Sequence, residues 1–136
     1  MRSDCIHHRV SVMSINLLTA WACFFLGALA GAAPGLFFHG EQWLGGYGSW
    51  RRRMVRLGHI SFFGIGALNL AFWVTCRLLE LDSGLALPSV LLLVGAATMP
   101  LVCYLSAWKS FFRHIFFIPA GSVTIALALF LREISR

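Results

Sequence analysis

The sequence predicts an all-α integral membrane protein, a four-helix bundle with up-down-up-down connectivity in one transmembrane domain covering residues 1–136. Three observations predict it. First, the chain is 59% hydrophobic and only 12% charged, with a mean hydropathy of +0.80. Soluble domains run roughly 45–50% apolar and about 25% charged. A folded chain of this size leaves about a third of its surface facing solvent, so an apolar excess this large needs hydrocarbon around it. Second, the charges fall almost entirely between or beyond four apolar runs. Third, the segments joining those runs are short enough to make sequence neighbours antiparallel.

The first run covers about residues 15–38 and carries no charge. At about 1.5 Å per residue it is long enough for a hydrocarbon core of about 30 Å. The second, about 57–76, is bounded by Arg56 and Arg77; the third, about 85–108, has Pro88 in its first turn, where a missing N–H costs nothing. The fourth, about 111–131, is closed by Arg132. Arg2 and Arg9, an apolar stretch, and then Ala28-Leu29-Ala30 before Gly31 also follow the order of a secretory signal peptide. The apolar stretch continues through Phe38, which favours a retained helix.

Eleven Lys+Arg against five Asp+Glu leave a formal charge of +6. On a soluble domain this would suggest nucleic acid; beside apolar runs the expected partners are the lipid bilayer and its anionic headgroups, with no nucleic acid. The end of the bundle bearing the first and third connections holds Arg51, Arg52, Arg53, Arg56, Lys109 and Arg113, and the other end holds Arg2, Arg9, Arg77, Arg132 and Arg136. The positive-inside rule then places the 39–56 loop in the cytoplasm and both termini outside, in a bacterial inner (plasma) membrane. Cys5, Cys23, Cys76 and Cys103 include no C-x-x-C pair and imply no disulfide framework.

Helix packing is legible at small residues. Gly27, Gly31 and Gly35 recur every four residues, with Ala28 and Ala32 beside them, a spacing that allows close backbone approach. Gly66 shares a face of the second helix with His59, and Asn69 shares one with Phe62. An amide at mid-helix depth is expected to face protein. These features hold the bundle together or meet another subunit.

His39, His59 and His114 are expected at one shared end of the bundle, as are Pro34, Pro100 and Pro119, whose freed carbonyls need partners. Three chemistries suit the histidines. A haem b could be ligated by His59 and His114 on helices diagonal in a square bundle, with Arg51, Arg52, Arg53, Arg56 and Arg113 pairing with propionates. The same arginines could instead hold lipid phosphates. A copper or zinc ion could be bound by His39, His59 and His114, or by the N-terminal Cys5, His7 and His8. The simplest reading keeps the histidines as interfacial side chains packed on Phe62, Phe63, Phe116 or Phe117.

The 39–56 segment is expected to be a lipid-contacting cap or a lid, since Trp43, Tyr47 and Trp50 are interfacial aromatics. Gly45-Gly46-x-Gly48 lacks the preceding strand and the Lys-Ser/Thr of a phosphate loop. No Asp, Glu or Lys lies inside an apolar run, which argues against an autonomous pump. No Ser-His-Asp set, H-E-x-x-H or carboxylate pair is present, and Ser61, Thr98, Ser122 and Thr124 are expected to bond locally or across helices. The function expected is therefore an accessory or subunit-like component of a larger membrane assembly. The alternatives are a haem b or metal-handling redox protein and an anionic-lipid-binding protein.

Overall fold

The computed structural model describes residues 2–37, 39–81 and 83–135, with side chains from Ser14 onward. It contains four α-helices and two short 3-10 helices, with no strand among the described residues. In order these are α1 (Arg2–Phe37), η1 (Trp43–Gly45), α2 (Trp50–Leu78), α3 (Ala86–Trp108), η2 (Ser110–Ile115) and α4 (Phe117–Ile134). Four stretches are long and apolar enough to cross a membrane: Ser14–Phe37, Trp50–Leu78, Ala86–Trp108 and Ser110–Ile134.

Three boundaries differ from the hydropathy-based ones, each for a local reason. α1 starts at Arg2 instead of about residue 15, because no Gly or Pro interrupts residues 2–14. Hydropathy marks where apolar composition begins, and a helix can continue past it. α2 starts at Trp50 instead of 57. Ser49 is its N-cap, with extended backbone and a side-chain oxygen that accepts the Arg52 N–H at 3.2 Å. Arg51, Arg52, Arg53 and Arg56 therefore occupy the first two turns of α2 and not a connecting loop. α4 starts at Phe117 instead of 111. Pro119 then falls in its first turn, where no intrahelical N–H is needed, whereas a start at 111 would bury it mid-helix. His114 consequently lies in η2, outside α4.

α2 and α3 form the central pair. α1 packs on α2 and, less extensively, on α3; α4 packs on α3, and α1 and α4 share no substantial contact. Between α2 and α4 the Phe72 and Phe130 rings lie 4.6 Å apart in the core. Contacts between consecutive helices pair early residues of one with late residues of the next: Asn16 with Asn69, Gly58 with Cys103, and Gly84, just before α3, with Glu133 near the end of α4. One apolar cluster joins Phe72, Cys76, Leu85, Leu92, Ala126 and Phe130; a second joins Cys23, Ile65 and Ala96.

Candidate functional site

Asn16 in α1, Asn69 in α2 and Ser89 in α3 are each fully buried. Asn16 Nδ2 donates to Asn69 Oδ1 at 2.8 Å, Ser89 Oγ donates to Asn16 Oδ1, and Asn69 Nδ2 donates to the Ile65 carbonyl at 3.0 Å. One hydrogen-bond network thus ties three helices together. Asn69 stood out in the sequence as an amide inside an apolar run. Asn16 carries the same signal beside the start of the first run, and Ser89 carries none.

His59 is half-buried between α2 and α1. Its Nδ1 lies 2.9 Å from the Gly27 carbonyl, which can only accept, so Nδ1 carries the proton. The ring lies against Gly31 and stands edge-on to Phe63 at 5.3 Å. A Cβ on Gly27 would come within 2.8 Å of the Phe63 ring, and one on Gly66 within 2.9 Å of the Phe24 ring. These glycines leave room for side chains from the facing helix. A Cβ added at Gly35, grouped with them by spacing, would meet nothing within 4 Å.

The other histidines lie elsewhere. His39 is exposed in the turn after α1. His114 is exposed in η2, 6.0 Å from the Phe111 ring and with its Nε2 3.5 Å from Arg113 Nε. His59 is turned toward α1 and His114 lies exposed in η2. Among the described residues no three His, Cys, Asp or Glu side chains gather around a point, and the trio His39, His59 and His114 does not assemble. The side chains of Cys5, His7 and His8 lie outside the described residues.

The arginines divide by role. Trp50 Nε1 donates to the Ser106 carbonyl at 2.9 Å and Arg51 Nε donates to the Ala107 carbonyl at 3.2 Å. Side chains from the start of α2 therefore satisfy carbonyls that the end of α3 leaves without helical partners. Arg52 is buried, with its guanidinium 5.7 Å from the Trp43 ring and 5.1 Å from that of Tyr47. The Arg56 guanidinium lies 5.0 Å from the same Tyr47 ring, making a cation–π cluster of two guanidinium groups on the aromatics of η1 and its turn. Arg53 and Arg113 are exposed.

A groove runs between α1 and α3 over Phe62 of α2. Its upper recess, about 520 Å³, reaches Pro34, Phe37 and Trp43. Its lower recess, about 600 Å³, reaches Ile15 and Leu93, and the two share Leu26, Phe62 and Tyr104. The Tyr104 hydroxyl and Ser106 Oγ are buried with no hydrogen-bond partner among the described residues. Ser61, Thr98 and Ser122 bond carbonyls three or four residues back in their own helices. Sequence reasoning missed the groove because residue spacing does not report how far two helices diverge. Comparison with protein-family models, with curated proteins and with solved structures finds no match to this chain.

Proposed function

We propose that this chain is an integral membrane protein whose four helices cross the bilayer in up-down-up-down order, and that it serves as an accessory or subunit-like component of a larger membrane assembly without catalysis of its own. The distribution of polar atoms carries this reading. Inside, Asn16, Asn69 and Ser89 spend their polar groups on one another and on a carbonyl, and His59 spends its proton on Gly27. Outside, Leu18, Trp21, Phe25, Leu101, Phe117 and Leu131 are all exposed. In the most apolar stretch of each helix only 17% to 39% of the residues are buried within the chain. In water such a surface drives association; in hydrocarbon it is the normal exterior, with interhelical polar bonds and close small-residue contacts as the cohesive terms.

The pairing of early with late residues in consecutive helices supports alternating directions. The cations at the η1 and η2 end support a cytoplasmic position for that end, with the termini outside. The commitment of Asn16, Asn69, Ser89 and His59 to structural bonds, beside broad uncovered faces, favours a packing role over a chemical one. The test is fractionation from native membranes. The chain should stay in the pellet under alkaline carbonate and migrate, after mild detergent extraction, in a complex several times larger than its own 15.1 kDa. Release by carbonate contradicts the membrane reading, and migration as a single chain contradicts the assembly reading.

A further inference from the structure

We propose that a second copy of this chain covers the α1–α3 groove, with α1 of each copy packed into the groove of the other across a two-fold axis along the membrane normal. The inference rests on the membrane reading and names one neighbour within the assembly. Along α1 the groove runs from Ile15 to Phe37, about 33 Å of helix. That matches a hydrocarbon core of about 30 Å, both leaflets together. An acyl chain reaches through one leaflet, whereas a helix reaches through both. The walls carry the spacing that a helix packs against. On α1, Ile15, Thr19, Ala22, Leu26, Leu29 and Ala33 line the groove at alternating steps of four and three residues. On α3, Leu93, Ala97, Pro100 and Tyr104 repeat those steps. Such steps keep one seam turned toward a neighbouring helix. All of the α1 seam except Thr19 is exposed, so a single chain leaves it without that neighbour.

The seam's own chemistry suits an identical partner. Ser61 and Thr98 bond carbonyls of their own helices, but the Thr19 hydroxyl at the lower recess makes no hydrogen bond among the described residues. Copies inserted in the same sense run parallel, and the two-fold sets each seam residue against itself at the same depth. Thr19 then meets a second Thr19 hydroxyl, and one can donate while the other accepts. Hydrocarbon has no such group to offer. Ala22 and Ala33, on either side of Leu26 and Leu29, let the two backbones approach closely. No charge lies between Val10 and Phe38, so nothing repels an identical helix along this length. The contact is isologous and closes on itself, whereas α4 of another copy in the groove would start an open string of copies.

The experiment uses the full chain extracted in mild detergent, with the number of chains per particle read by native mass spectrometry. The wild-type chain should be present as two copies in each particle. Ala22→Trp and Ala33→Trp, which enlarge exposed seam positions, should leave one copy while the helical circular dichroism stays unchanged. If these variants lose helicity, Ala22→Leu carries the same test. Gly64→Trp, on an exposed face of α2 where an added Cβ meets nothing, should keep two copies. Thr19→Val should weaken the pairing about three-fold, and Thr19→Ser should restore it. One copy per particle in wild type overturns the proposal, as does pairing that the seam variants leave unchanged or that Gly64→Trp alone removes. A lipid or a different polypeptide held with a single copy of this chain, and lost in Ala22→Trp, also overturns it while the membrane reading stands. Failure of the membrane reading would show separately, as release by carbonate.

Discussion

Asn16, Asn69 and Ser89 illustrate how a few polar atoms specify the contact of three apolar helices. Apolar side chains tolerate rotation of one helix against another, but amides that must pair do not. Asn69→Leu should destabilise the fold by about 1–3 kcal/mol, because it leaves the Asn16 amide N–H groups buried and unpaired. The double variant Asn16→Leu/Asn69→Leu should cost less than the sum of the two singles, since the orphan is removed with its partner. Unfolding by graded denaturant in detergent micelles measures both. Gly31 and Gly35 make a second contrast. A Cβ on Gly31 runs into the His59 ring, while one on Gly35 meets nothing. Gly31→Ala should therefore cost about 1–3 kcal/mol through overpacking and strain on the His59–Gly27 bond. Gly35→Ala should be neutral or stabilise by up to about 1 kcal/mol through helix propensity. Equal melting shifts for the two variants would remove the basis for the α1–α2 contact described above.

At the scale of elements, the ends of the helices carry the corrections. The apolar runs located all four spans, because length and hydropathy are additive properties of a stretch. They did not locate the starts of α2 and α4, which are decided by single residues. Ser49 was readable as an N-cap, but the charged and aromatic composition around it resembled loop; Pro119 was readable as a first-turn residue, but the apolar run begins upstream of it. Ser49→Ala should cost about 1 kcal/mol and fray the first turn of α2. Ser49→Asp keeps the acceptor, adds a negative charge where the dipole and the arginines favour one, and should be neutral or better. Thermal melting of the two variants beside wild type checks the order. The histidines were legible in sequence position and not in environment. His59 faces α1 because α2 is rotated to place Gly58 on Tyr104 and Asn69 on Asn16, a rotation that only contacts to other helices determine. His114 left the helical register altogether when η2 replaced the first turns of the expected fourth helix.

For the whole molecule, α1 and α4 flank a central α2–α3 pair, each leaving much of its surface uncovered. That arrangement creates the groove between α1 and α3 and leaves two separate faces open for the proposed assembly. Four alternating membrane crossings underlie the proposed role of this chain. The direct measurement is cysteine labelling on a cysteine-free background, with single cysteines at Gly48, Ser83, Ser110 and Ser135, using a membrane-impermeant maleimide on intact cells and then on permeabilised ones. Cysteines at positions 83 and 135 should react in intact cells, and those at 48 and 110 only after permeabilisation. Labelling of all four positions in intact cells, or of 48 together with 83, would contradict the alternating topology.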